Sequence, residues 1–588
     1  MKIINVIPII NIPLSQPQVL TYFVLERVSL GSLVLVPIHR RQVTAVIIKI
    51  QDISQVKQFL RKKANYTLKP ISRIINAKSL IPKSQIKLAY WIKKYYACSL
   101  TLAFKTILPE SLRTRKAKLP TPNYQPLITN YQSLHLVPDL GQIKKVLAKY
   151  INKQYIIYHG SLSRKQQFQA WKKIRLGQAE IIIGTRLACF APFVKLKKII
   201  INQEESDNYK SWDQKPYYDA RRVVKFIAHL HNAKIVRNSI VPKLKVQSEK
   251  LKTTTKSLKL LLKNKRVRII DMRNEQTASD KFIIFSEKLI REIKKVLQKN
   301  GQIILFHNRR AMGRFIICKK CGFSFKCPNC AVSLLDYKTI LQCSHCMYKI
   351  NKPNACQNCT EQLISFGVGT QKIEKEINKI FSRIDVMRLD SDIPEKNRKK
   401  IINDFKNKKI KILIGTQMLL QNNFLSNLTA IINADSNLNL PDYRASEKSF
   451  YMFTNLALQA KKLIIQTYNP KHFALNAILK NTYKDFYEQE LFVRKKFFYP
   501  PFSKLIKLSF KHFNKYYAKN SAHALAIKLK NPKYKVLGPC PGFIPRIRNQ
   551  YIYQIIIKLP LKSEKLKKTL LNLVPDSWII DVDPINLL

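Results

Sequence analysis

The sequence predicts a multidomain α/β protein: two parallel-sheet lobes, the second carrying a cysteine-rich insert, between a β-rich N-terminal domain and an α+β C-terminal domain. Three observations predict it. Apolar runs alternate with helical patterns twice, first as LHLVP, QYIIYH, EIIIGT, KKIIIN and AKIVRN, then as QIILFHN, IDVMRLD, KILIGT, LTAIINAD and KKLIIQT. Strands alternating with helices imply crossover connections, and those imply a parallel sheet. Four C-x2-C pairs fall between the first and second strands of the later series. Finally, 588 residues exceed the size at which one hydrophobic core keeps growing.

In chain order, residues 1–112 hold the β-rich runs QVLTYFVL, GSLVLVPIH and QVTAVIIKI, then the helical pattern KSQIKLAYWIKKYYACSLTLAFKTIL, which reads as a small β-domain closed by helices. Residues 113–132 are polar and contain Pro, as a linker does. The first lobe spans 133–245. A connector and the start of the second lobe occupy 246–316, the cysteine insert 317–360, and the rest of the second lobe 361–470. The tail, 471–588, has its own strands in LIKLSF, QYIYQIIIKLP and WIIDVDP.

Charge narrows the partners. There are 106 Lys and Arg against 35 Asp and Glu, a formal net charge of +71. A field of that sign attracts polyanions, nucleic acid first among them. Abundant Lys, Ile and Asn with few Gly is also what AT-rich coding DNA produces, and both causes apply. No run of about 18 apolar residues is present, so no membrane span is expected. The opening MKIINVIPIINIPL is broken by Pro8 and Pro13 and lacks a small-residue cleavage site, so the expected location is cytoplasmic, with reduced thiols.

Reduced thiols make the cysteines a metal question. Cys318/Cys321, Cys327/Cys330, Cys343/Cys346 and Cys356/Cys359 each enclose two residues, a spacing at which two thiolates on one turn grip one Zn²⁺. Disulfides and an Fe–S cluster are less suited to this compartment and pattern. Eight ligands make two sites, hence two Zn²⁺ per chain. Five residues separate the first two pairs and twelve the second and third. A nested arrangement therefore joins Cys327, Cys330, Cys343 and Cys346 in one site and Cys318, Cys321, Cys356 and Cys359 in the other. An interleaved pairing stays open, because spacing does not fix connectivity. Four thiolates leave no open position, so these sites are structural. Cys98, Cys189 and Cys540 are expected as small buried hydrophobes.

The insert inside the second lobe, with LFHNRR before it and GVGTQKIEKEI and ILIGTQML after it, resembles the PriA family of bacterial replication-restart helicases. The resemblance covers nearly the whole chain. LTYFVL and GSLVLVP resemble that family's domain for DNA 3′ ends. HLVPDL, YHGSLSRKQQFQAW, IIIGTRLACFAPF and SDNYKSWDQKPYYDARRV resemble its first helicase lobe. NADSNLNLPDYRASEKSF, IIQTYNP, YPPF, VLGPCP and DVDP resemble the second lobe and C-terminal domain. The resemblance implies RecA-like lobes, DNA forks and single strands as ligands, and primosome partners such as a replicative helicase loader or a single-strand-binding protein. It also places Lys69 toward a DNA end, and it makes Thr185, Arg186, Arg309 and Arg310 candidate DNA contacts. Read as bare residues, the threonine sits in a turn after a strand and the basic pair is solvated surface.

The departures are as informative. A P-loop cradles phosphate on backbone amides, neutralises it with Lys and ligates Mg²⁺ through a hydroxyl. None of the thirteen glycines here is followed by Lys. The family's winged helix is missing from the same gap, 113–132. Its acid box, Asp-Glu-Glu-His, is Asn202, Gln203, Glu204 and Glu205, of which the two acids are expected on the surface or between lobes. Its Ser-Ala-Thr is Ser239 to Val241, and its Lys-Gly is Gln421-Asn422. No Arg occurs between Arg444 and Arg494, where an arginine motif belongs. In the N-terminal pocket Leu20-Thr21-Tyr22 replaces Phe-Asp-Tyr, and His39 replaces Gly. ATP and Mg²⁺ are therefore not expected as cofactors, and no catalytic residue is assigned. The expected function is DNA binding in replication restart without helicase activity. The alternatives are an ATP-dependent 3′→5′ helicase with a diverged nucleotide site, and a decaying remnant.

Overall fold

The computed structural model describes residues 1–10, 12, 16–52, 68–77, 79–113, 131–150, 153–239, 266–276, 283–308, 316–365, 369–422 and 424–588. Two compact units result: Met1–Ile240 with Val574–Ile585, and Val241–Leu573 with Asn586–Leu588.

The first unit begins with a five-stranded antiparallel sheet, ordered Leu20–Val24, Lys2–Pro8, Arg41–Asp52, Leu33–Ile38, Arg73–Asn76. The helices Lys83–Tyr96 and Leu100–Ile107 close it, the second started by Ser99, whose hydroxyl accepts from the Leu102 N–H at 3.1 Å. Gly31 has φ +82°, and a Cβ there would lie 2.1 Å from the Ile81 carbonyl oxygen, so only glycine fits.

A five-stranded parallel sheet follows, ordered Lys234–Asn238, Leu196–Asn202, Gln132–Leu136, Ile181–Gly184, Tyr155–Tyr158. Of its inner strands, Ile181–Gly184 is an apolar run buried throughout, and Gln132–Leu136 is buried along its whole length although it carries Gln132, Ser133 and His135. Leu88, Ile92 and Phe104 of the N-terminal helices share one core with Trp171, Ile199 and Val224 of this lobe. The segment Val574–Ile585 belongs here too. The Lys210 ammonium, 1% exposed, pairs with Asp581 at 2.7 Å and donates to the Val582 carbonyl at 2.7 Å.

The second unit holds a six-stranded parallel sheet, ordered Arg266–Asp271, Ala460–Thr467, Ser426–Ile431, Ile303–Phe306, Ile412–Gly415, Val386–Leu389. Between Ile303–Phe306 and the helix Thr370–Ile380 lie two small antiparallel sheets. One pairs Ile316–Cys318 with Leu363–Ser365; the other runs Leu335–Asp336, Ile340–Gln342, Lys349–Asn351. Farther on, Lys535–Ile547, Gln550–Leu559 and Lys504–His512 form antiparallel pairs beside the helix Lys515–Lys528. Among the described residues, no helix is long and apolar enough to cross a membrane.

Candidate functional site

Each C-x2-C pair builds the same turn. The residue after the second cysteine donates its N–H to the carbonyl of the first: Gly322 to Cys318, Ala331 to Cys327, Met347 to Cys343 and Thr360 to Cys356, at 2.9–3.2 Å. All four sit at positive φ, between 56° and 73°. The first cysteine then donates to the residue two places beyond the pair, as Cys327 does to Val332 at 2.8 Å. In three of the turns an amide also points at the leading sulfur, from Cys321, His345 and Asn358, at 3.4 Å. At Gly322 a Cβ would lie 2.0 Å from the Tyr468 carbonyl oxygen, so that turn requires glycine.

The turns meet in the nested arrangement. Cys318, Cys321, Cys356 and Cys359 form one group and Cys327, Cys330, Cys343 and Cys346 the other, with every sulfur of a group within 4.8 Å of the rest. The closest sulfurs are Cys318 and Cys359 at 3.4 Å, Cys321 and Cys356 at 3.5 Å, and Cys327 and Cys346 at 3.5 Å. A tetrahedron with Zn–S of about 2.3 Å has sulfurs about 3.8 Å apart, so both sulfur sets fit Zn²⁺ closely. The second group is the drier. Phe325, Val332, Leu334 and Leu341 pack around it, and the Tyr499 hydroxyl donates to the Cys330 carbonyl at 3.2 Å. Hydrogen bonds from Cys327, Cys330 and Cys343 hold the Cys346 thiol below its ordinary range.

The strand end where the family's acids would stand is occupied differently. Asn202 donates its amide to the Leu136 carbonyl at 3.2 Å and accepts from the Asn238 amide at 3.2 Å. Gln203 turns the chain at φ +50°. Glu204 is buried, not at the surface: Arg237 pairs with it at 3.1 Å, an ion pair that holds the charge inside. Glu205 accepts from the Ser239 hydroxyl at 2.8 Å. Arg221 donates to the backbone carbonyls of Glu204 (2.6 Å) and Ser206 (2.9 Å) and is itself gripped by Asp219.

The candidate DNA contacts scatter. Lys69 is exposed, and its carbonyl accepts from the Phe23 N–H at 3.2 Å. Thr185 and Arg186 follow the strand Ile181–Gly184; the Arg186 guanidinium is tied to Asp213 at 2.9 Å and to the Lys210 carbonyl at 3.1 Å. Arg309 and Arg310, like Val241, lie outside the described residues. In the second unit Arg444 and Arg494 both bind Glu447, at 2.6 and 3.0 Å, and Arg494 also binds Glu490 at 2.8 Å. Sequence reasoning missed this buried network. It also missed Asp435, whose carboxyl accepts from Thr467 and from the Tyr468 N–H, and which burial pushes up to about 6.

The lobe of the second unit is of helicase type: residues 345–447 match the helicase conserved C-terminal domain. Two further matches narrow that class, the PriA 3′ DNA-binding domain over residues 9–109 and the primosomal protein N C-terminal domain over 495–585. The chain belongs to the PriA family of replication restart proteins. It is 30% identical over 457 residues to the replication restart protein PriA of Bacillus subtilis, covering 74% of this chain and 56% of that one. The PriA of Borreliella burgdorferi is 29% identical over 590 residues, covering 87% of each. That of Synechocystis is 31% identical, covering 76% of this chain and 58% of the relative.

Proposed function

We propose that this chain is a replication-restart protein that binds forked and single-stranded DNA, holds two structural Zn²⁺, and works without an ATP-driven motor. On this reading it acts in the cytoplasm and helps reload replication through primosome partners such as a helicase loader or a single-strand-binding protein. The DNA-binding part is supported by the match to a 3′ DNA-binding domain and by the net charge of +71. The observation that carries the absence of a motor is the strand end at Asn202. An amide brings no charge to Mg²⁺ and accepts no proton from water, and Glu204 is already committed to Arg237. No Gly-Lys supplies a phosphate cradle.

The match to a helicase conserved C-terminal domain favours the second reading, an active helicase with a diverged nucleotide site. DNA-stimulated phosphate release by the purified chain separates the two. Release no faster than without protein is expected, together with tighter binding to forks than to duplex at physiological salt. Mg²⁺-dependent turnover of about one per second, within the range of working phosphoryl-transfer enzymes, would refute the motorless reading. Equal affinity for forks and duplex would refute fork recognition.

A further inference from the structure

Residues 491–563 contain sixteen Lys and Arg and not one Asp or Glu. Within that stretch the structure gathers aromatic side chains at one end of an antiparallel sheet. His512, near the end of its strand, lies opposite Tyr551, and Tyr551 lies opposite Arg546 on its other side. The Arg546 guanidinium sits over the Tyr551 ring at 5.1 Å. Tyr517 packs against His512 with ring centroids 4.4 Å apart. Around them Phe513, Tyr516 and Tyr517 are 66%, 76% and 55% exposed, with Lys511, Lys515 and Lys519 exposed between them. Arg548 and Asn549, both at positive φ, make the tight turn that carries Arg546 and Tyr551 beside this group.

We propose that Phe513, Tyr516, Tyr517 and Tyr551 form a stacking platform for single-stranded DNA. The proposal rests on the DNA-binding reading above and adds a site to it. Large rings left in water need a partner whose matching surface is flat and apolar. Cations with no interspersed acid require that partner to be a polyanion. An unpaired nucleic acid strand offers both, exposed base faces and a phosphate backbone, and every base has a π-face. Duplex DNA hides those faces in its own stack, so the rings gain nothing from it. The Arg546–Tyr551 pair adds a guanidinium plane of the kind that also stacks on bases.

The test uses the full chain and fluorescein-labelled oligothymidylate, with a duplex of the same length, across a salt titration. Phe513→Ala and Tyr516→Ala are each expected to weaken binding to the single strand by roughly five- to a hundredfold, from the typical contribution of one stacked base. The salt slope and the duplex affinity should not change. Tyr516→Phe keeps the ring and should bind like wild type; Phe513→Leu keeps the apolar bulk and should not. Lys511→Ala and Lys515→Ala should instead flatten the slope, by about 0.7 for each phosphate that is no longer neutralised. If wild type binds the single strand and ring removal leaves affinity intact, the platform is wrong and the DNA-binding reading stands. Equal weakening on duplex also overturns the platform. Failure of wild type to bind single strands overturns both.

Discussion

Glu447→Gln should unfold part of the second unit's support, and the structure sets the size of the effect. The Glu447 carboxylate, 1% exposed, accepts from Arg444 at 2.6 Å, from Arg494 at 3.0 Å and from the Tyr451 hydroxyl at 3.1 Å. Burial alone would raise its pKa; the two guanidinium charges outweigh that and hold it well below the usual carboxylate range. Both guanidinium groups meet the same carboxylate oxygen, so glutamine can keep its oxygen there and turn its NH2 to the Tyr451 hydroxyl, but it brings no negative charge. Two bonds of about 1.5–3 kcal/mol each lose the charge on their acceptor and weaken. The two buried guanidinium groups lose the one carboxylate they share, Arg494 keeping Glu490, and removing one partner of a buried ion pair costs about 3–5 kcal/mol. At roughly 2 °C per kcal/mol for a large unit, the melting temperature should fall by about 6–10 °C. Because the folded pKa is depressed, the contribution is complete above the unfolded value near 4.3 and is lost only in stronger acid. The difference between wild type and variant should therefore be constant from about pH 5 to 8. Scanning fluorimetry checks this against Glu395→Gln, whose partner Lys399 is also exposed and whose loss should cost under about 0.5 kcal/mol. Equal melting of the two variants would refute the reasoning.

Three further outcomes are expected. Freshly purified, reduced protein should contain two Zn²⁺ by mass spectrometry, and Cys327→Ser or Cys318→Ser should lose one ion each; zero or one in wild type contradicts the fit. Asn202→Asp with Gln203→Glu should not create ATP turnover, and it should destabilise the first unit by about 1–3 kcal/mol, since an oxygen would then face the Leu136 carbonyl; phosphate release and thermal melting read both. Asp435 is raised by burial to about 6, so its ionisation disfavours folding, and stability should drop by roughly 3 kcal/mol as pH rises from about 4 to 6. Asp435→Asn should remove that slope, which denaturation at a series of pH values will show.

The strands were legible because their cause is local. Buried parallel strands are continuous apolar runs, and EIIIGT and KILIGT announce themselves in any window. The four cysteine turns were legible for the same reason, since two thiolates three positions apart must share a turn. Their nested pairing was legible from the five- and twelve-residue spacings, with the interleaved one left open because it depends on the path of the chain between turns. The positive φ at Ala331, Met347 and Thr360 was not legible, because no glycine marks it. The hardest features to read join distant residues. Arg444, capping the start of a helix, and Glu447, in its first turn, are three apart, yet Arg494 arrives from another helix. Lys210 and Asp581 are separated by most of the chain. A buried charge is the least expected residue class by composition, and only its partner explains it.

The same pairing of buried charges governs the strand end at Asn202. A Mg²⁺-binding carboxylate must be free to exchange its partner for metal, water and phosphate. Glu204 is not: leaving Arg237 would strand a guanidinium that is three-quarters buried, at a cost of several kcal/mol. Its backbone carbonyl is held as well, by Arg221, which Asp219 fixes, and the Asp219 N–H donates to the Tyr96 hydroxyl at 3.0 Å. Lys210, a few residues on, is clamped by Asp581 and the Val582 carbonyl. The strand end has thus become a joint within the first unit, tying lobe, N-terminal helices and C-terminal segment together.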